Sequence, residues 1–298
     1  MTRANTARAL PVPALLATLL AALVWATTAA AATIDVKPKR DGAIQKAIDK
    51  AGRGDTLLIH EGRYVGAIEV DKKLTLKRAK GEKRPVIDGD CETAYPVDIK
   101  SNGVALRGLK VVGAAEGFDP FPSSVNFTGI ATGVVDDLVV RNPCGSAEYG
   151  INVFQGGHIQ ITDSNAKGFE DSGVYVGAIA DTSRGPLVVS GNVLDGNNRG
   201  VIVEDSSGVD IRVIDNELDD NDLEGEGVPA GIFVHNSDGT LIRKNTMNRN
   251  GEYGILIDSG SDNTLLVGNT AKGNGTAPLL DEGSGNCGKQ NSFPVPAC

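Results

Sequence analysis

Glu204, His235 and Asp258 each stand four places after a glycine, in the phrases GVIVE, GIFVH and GILID. If these phrases are neighbouring strands of one sheet, the three side chains point outward on rungs about 4.8 Å apart. A carboxylate, an imidazole and a second carboxylate in that line can orient the ring and pass a proton to and from a bound molecule. They are the candidate catalytic residues. The second residues of these phrases and of the preceding GINVF and GVYVG, namely Asn152, Tyr175, Ile202, Phe233 and Leu256, make an aromatic and aliphatic strip alongside, and Tyr149, Arg199 and Tyr253 stand just before the glycines. A flat apolar strip beside proton-transfer groups suits the faces of sugar rings. Tyr175, Phe233 and Tyr253 are the expected contacts, and Arg199 is placed to orient a substrate carboxylate. The expected partner is a polysaccharide or a cell-envelope glycan, bound or processed there. A solvated face partly covered by loops is the plainer expectation.

Other chemistry has less support. Asp220, Asp222 and Glu224 imitate the start of a calcium loop, but Gly231 stands where that loop needs its closing glutamate. The plainer expectation is a solvated acidic loop. No cofactor is expected, calcium being the one candidate ion. His60 and His158 are isolated, and no C-x-x-C, H-E-x-x-H, phosphate-binding loop or G-x-S-x-G elbow occurs.

Charge and the first residues narrow the setting. Residues 1–32 carry two arginines, an apolar run and a small-residue tract, the pattern of an export signal. Without them the net charge is 27 − 38 = −11, which argues against nucleic acid. No membrane-spanning segment is expected once the signal is removed, and the location is secreted, extracellular or periplasmic. Four cysteines in an exported chain suggest disulfides. Cys287 and Cys298 close a short terminal loop, leaving Cys91 with Cys144. A simple register puts that second pair two rungs apart, about 9–10 Å, beyond the ~4.4–6.8 Å reach between Cα atoms.

The element that positions all this is a repeat. Glycine-led phrases begin at Gly129, Gly150, Gly173, Gly200, Gly231 and Gly254, at intervals of 21, 23, 27, 31 and 23 residues. Self-similarity at this period marks a solenoid. The first and third residues after each glycine, such as Val201 and Val203, are aliphatic and should point inward as stacked columns. The glycine fits a turn-to-strand junction with positive φ or close backbone approach. Asparagines recur at 142, 165, 192, 216, 245 and 269, and again at 197, 221, 250 and 274, as expected for turn ladders. Insertions at 113–126, 178–186 and 219–230 should be surface loops. The organisation expected is a signal over 1–32 and one all-β domain over 33–298. Within it lie an amphipathic capping helix over 43–51, coils over 56–274, and a C-terminal cap over 275–298.

The opening AIQKAIDKAGRGDTLLIHEGRYVGAIEV, with KKLTLKRA and VIDGD, resembles the start of right-handed parallel β-helix proteins of the pectate-lyase-like superfold. The later N-x4-N, GVIVEDSS and GIFVHNS phrases resemble NosD-like β-helix repeats. The resemblance implies a single-stranded right-handed parallel β-helix. It leaves function open among lyases, epimerases, hydrolases and proteins without known activity. A carbohydrate-active protein, a non-enzymatic extracellular binding or structural β-helix, and a NosD-like periplasmic assembly factor are the three readings. Asp119-Pro120-Phe121 resembles the start of the D-P-H-D motif of mannuronan epimerases, but the histidine and second aspartate are absent.

Overall fold

The computed structural model describes residues 30–38, 42–117, 119, 121–225 and 227–298. The export signal expected over 1–32 lies almost wholly outside them. From residue 31 onward the chain is a parallel β-solenoid. An eleven-stranded sheet runs from Thr33–Val36 to Cys287–Lys289, and a nine-stranded sheet from Ile68–Val70 to Ala277–Asp281. The third face begins as five strands, from Arg63–Val65 to Asn165–Lys167. It continues through single bridges at Val193 and Glu217 to the pair Thr246–Asn248 and Thr270–Lys272.

The inward columns account for the core. Ile151, Val153, Val174, Val176, Val201, Val203, Ile232, Val234, Ile255 and Ile257 are all fully buried, as period-two alternation on an enclosed sheet requires. At the repeat glycines, close approach decides the residue. A Cβ on Gly200 would lie 2.6 Å from the carbonyl oxygen of Gly231, and one on Gly231 would lie 2.7 Å from that of Gly254. Neither has positive φ.

The asparagines form two ladders. In one, Nδ2 of Asn192, Asn216, Asn245 and Asn269 each donates to Oδ1 of the next member, the last being Asn291, at 2.9, 2.9, 3.2 and 3.0 Å. In the other, Asn197, Asn221, Asn250 and Asn274 are linked in the same way. The residue before each asparagine of the first ladder is left-handed: Gly191, Asp215, Lys244, Gly268 and Gln290. That conformation opens the turn, and the asparagine then satisfies backbone groups above and below. Asn142 and Asn165 stand outside both ladders. Ser164, not Asn165, occupies the preceding rung of the first, with its N–H donating to Asn192.

The ends differ from expectation. Thr33–Val36 already pairs with Thr56–Ile59, so the helix Ala43–Lys50 lies between two strands of one sheet. Its Ile44 and Ile48 are buried in the core, and Ala51 is already extended. The coils do not stop at Asn274. Ala277–Asp281 and Cys287–Lys289 supply further rungs to both large sheets.

Both disulfides are closed. Cys287 and Cys298 have Cα atoms 5.0 Å apart, and Cys91 and Cys144 5.8 Å apart. The two-rung separation is overcome because the strand Val86–Thr93 shifts register between Asp88 and Thr93. Asp90 and Cys91 both take φ of 58°, so Cys91 leaves the ladder and reaches Cys144.

Candidate functional site

The nine-stranded sheet carries the expected face. Ile202 pairs with Phe233 and Glu204 with His235, and Phe233 in turn pairs with Leu256. Asp258 follows the strand Tyr253–Ile257 directly. His235 Nδ1 contacts Asp258 Oδ2, and His235 Nε2 lies 3.7 Å from Glu204 Oε1. The three residues thus form one line with the histidine between the carboxylates. The histidine side chain is 42% exposed, so the line is open to a bound molecule.

Asp258 is the anchor. Burial works to raise its carboxyl, but donation from the Ser261 hydroxyl, the Asn236 N–H and the His235 ring holds it below the usual carboxylate range. An ionised Asp258 accepts a hydrogen bond from Nδ1–H, which leaves the Nε2 lone pair on the Glu204 side.

Tyr175 extends the line by another rung. Its hydroxyl donates to Glu204 Oε2 at 2.6 Å. Burial, reinforced by that carboxylate, raises the phenol well above its ordinary value, so it remains a donor. The reach depends on Gly177, whose strand position is in register with Glu204. A Cβ at residue 177 would collide with the Tyr175 ring. Tyr175 also stacks on Tyr149, with ring centroids 4.5 Å apart.

The strip is more closed than its sequence suggests. Tyr149, Tyr175 and Ile202 form a buried cluster, with Phe154 and Phe233 partly buried against it. Phe233 lies 5.5 Å from the His235 ring. Tyr253 is half-buried between Ala230 and Ala277 on the neighbouring strands.

Arg199 departs from expectation. It is 7% exposed, paired with Asp171, bonded to the Val228 carbonyl at 3.0 Å, and set 5.2 Å over the Phe233 ring. The insertion at 219–230 supplies Val228 and closes over it. The guanidinium therefore holds that loop and supports Phe233, and it does not reach out to a substrate carboxylate.

The calcium candidates do not come together. Both Asp220 oxygens accept from Arg249, at 2.8 and 2.7 Å, and Asp222 and Glu224 are exposed loop residues. Among the described residues, Glu116, Glu148 and Glu170 are the group with carboxylate oxygens close enough together to hold a metal ion.

Sequence reasoning missed two aromatic residues. A cavity of about 280 Å³ beside Tyr175 is lined by Tyr95, Phe121, Thr128, Tyr149, Asn152, Phe154 and Tyr175. Tyr95 stands in an irregular stretch and Phe121 in an insertion, so neither shares the glycine-led phrase that marks the others. Gly177, four places after Gly173 as Glu204 is after Gly200, is what lets Tyr175 fold toward Glu204.

Comparison with known proteins fixes the fold and the family. The structure is similar to pectate lyase Pel9A, at 14% identity over 90% of this chain and 81% of that one, with a TM-score of 0.68. It is similar to an alginate lyase from Paenibacillus sp. str. FPU-7, at 17% identity over 89% and 97% of the two chains, with a TM-score of 0.64. A rhamnogalacturonan lyase aligns at 13% identity over 88% and 87%, with a TM-score of 0.61. At these identities the likeness is one of fold, the right-handed parallel β-helix. No curated protein matches the sequence. No helix among the described residues is long and apolar enough to cross a membrane. The sequence profile described as "Periplasmic copper-binding protein (NosD)" matches residues 121–294, more than half of the chain. The chain belongs to the NosD family of β-helix proteins.

Proposed function

We propose that this protein is exported and binds and processes a polysaccharide on the outward face of its nine-stranded sheet, with Glu204, His235 and Asp258 carrying proton transfer. The observation that carries the reading is the line Tyr175–Glu204–His235–Asp258 beside an aromatic cavity. Asp258 orients the ring, His235 Nε2 takes a proton, and the reacting group sits on the open side of the line, within reach of both Nε2 and Glu204 Oε1, which are 3.7 Å apart. Tyr175 holds Glu204 in place. Two disulfides support residence in an oxidising compartment, outside the cytosol. Solved structures sharing the fold are lyases of pectate, alginate and rhamnogalacturonan by name, which makes a glycan the first class to test.

The family's description raises copper, and the donor set here does not fit it. All four cysteines are in disulfides, and Met247 is fully buried in the core. His60, His158 and His235 are each engaged with separate partners. The convergent glutamates offer only hard oxygen ligands, where copper favours imidazole and sulfur. No step is routed through copper.

Purified protein incubated with a panel of neutral and acidic polysaccharides tests the reading. New reducing ends or unsaturated products, lost on His235→Ala, support it. A polysaccharide bound by wild type without any product across the panel leaves a binding module and removes the catalytic role.

A further inference from the structure

The aromatic cavity next to the proton-transfer line has no assigned occupant. Five of its seven lining residues are aromatic, in a chain with 7 + 5 + 1 = 13 aromatic residues. The concentration is local and continuous with the site, since Tyr175 is both a wall and the donor to Glu204. The other lining residues, Thr128 and Asn152, are uncharged. Asn152 is tied down from the far side, its Nδ2 donating to Asn126 at 2.9 Å, and Asn126 donates to Asp98 at 3.0 Å.

One wall comes from the insertion at 113–126. Phe121 is 57% exposed, the most exposed large apolar side chain among the described residues. Its backbone N–H donates to Asp119 Oδ1 at 3.0 Å. Burial, together with a hydrogen bond to the same aspartate, raises the Tyr95 phenol. The Asp119-Pro120-Phe121 segment, which fails as an epimerase motif, thus ties Phe121 and Tyr95 to one carboxylate at the cavity rim.

Charge selects the occupant. No lysine or arginine lines the cavity, and the carboxylates nearby are Asp98, Asp119 and Glu204. Lys100 is committed to Asp98 at 2.7 Å, and Arg199 to Asp171. A uronate would bring its carboxylate to an acidic rim where Lys100 and Arg199 are already paired, whereas apolar C–H faces stack on aromatic rings without such a penalty. The volume, just under the ~300 Å³ where pockets for drug-sized ligands begin, admits one ring at a time.

We infer that this cavity is the subsite for a single uncharged pyranose ring of the bound glycan, stacked between Phe121 and the Tyr149–Tyr175 pair and presenting its neighbouring linkage to Glu204 and His235. The inference rests on the carbohydrate reading of this face and adds the class of sugar. Phe121 and Tyr95 close the ring in, and Tyr175 couples its position to the proton-transfer line.

Calorimetric titration of the full chain with cellohexaose, laminarihexaose, mannohexaose and hexagalacturonate tests it. A neutral hexasaccharide should bind, and Phe121→Ala and Phe154→Ala should each weaken that binding at least tenfold. Leu265→Ala, an exposed apolar residue on the eleven-stranded sheet, should leave it unchanged. Asp119→Ala, which frees Phe121 without removing a ring, should give an intermediate loss. Product formation measured on the same variants makes failure of catalysis and failure of the subsite separately visible. Tighter binding of hexagalacturonate than of any neutral hexasaccharide overturns the inference. So does a Phe121→Ala affinity within twofold of wild type, or binding of none of the four.

Discussion

The Tyr175 hydroxyl donates to Glu204 Oε2 at 2.6 Å, which leaves Glu204 Oε1 facing His235 Nε2 across 3.7 Å. Residues on three consecutive rungs are thereby linked, with Asp258 holding the histidine from a fourth. The solenoid brings together residues up to 83 positions apart in sequence (258 − 175) without any loop to carry them.

Gly177→Ala should break this link. The added methyl meets the Tyr175 ring, so the phenol must swing away from Glu204. Overpacking of this kind costs about 1–3 kcal/mol. A melting curve should show the loss, and product formation should fall with it. Tyr175→Phe, which keeps the ring and removes only the hydroxyl, should lower product formation with a smaller change in stability.

Asn245→Ala tests the turn ladder. Asn245 Oδ1 accepts from the N–H and Nδ2 of Asn216, and its own Nδ2 donates to Val213 and Asn269. Each buried group left unpaired costs about 1–3 kcal/mol. Denaturant unfolding should show a loss of about 3 kcal/mol or more. Asp222→Ala, at an exposed loop position, should fall within about 0.5 kcal/mol of wild type.

The face and its line were legible from the glycine-led phrases, because period two and a fixed rung spacing leave little freedom in which residues stack. The inward valines and isoleucines and the asparagine turns were legible for the same reason. Arg199 was misjudged because its environment comes from Val228 in an insertion, and insertions carry no periodicity. Phe121 was missed as a cavity wall for that reason too, and Tyr95 because it stands in an irregular stretch between two strands. The Cys91–Cys144 bridge needed a local register shift, which a regular repeat cannot announce.

Stability near the N-terminal coils should depend on pH through His60. Its ring bonds Asp35 at 2.9 Å and Glu82 at 2.7 Å, and both nitrogens can donate only when it is protonated. Those two bonds, Asp35 first, raise its pKa, opposed by slight desolvation. Glu82 is lowered, chiefly by the Glu61 N–H and then by His60, with Lys37 adding a little. A second nearby carboxylate, Glu61, accepts from the Lys83 N–H. The histidine contribution is complete below about pH 6.5 and lost as pH rises through the raised folded value. The Glu82 contribution is present above about pH 4.5 and lost as pH falls through its lowered value. Melting temperatures of wild type and His60→Gln should therefore differ most between about pH 5 and 6 and converge as pH rises through the raised value of the histidine.

The two disulfides should not be equal. Cys91 and Cys144 are 53 residues apart and Cys287 and Cys298 are 11 apart. Loop-closure entropy gives about 4 kcal/mol for the longer and about 3 kcal/mol for the shorter. Paired cysteine-to-alanine variants, compared by denaturant unfolding, should rank in that order.

The central claim is that Glu204, His235 and Asp258 act as one proton-transfer unit, and single-substitution rates on the polysaccharide that yields product test it most directly. His235→Gln and Glu204→Gln should each lower the initial rate at least about a hundredfold with affinity for the polysaccharide held near wild type. Asp258→Asn should lower the rate by shifting the histidine's orientation and tautomer. Rates within a few-fold of wild type for His235→Gln in folded protein would contradict the account.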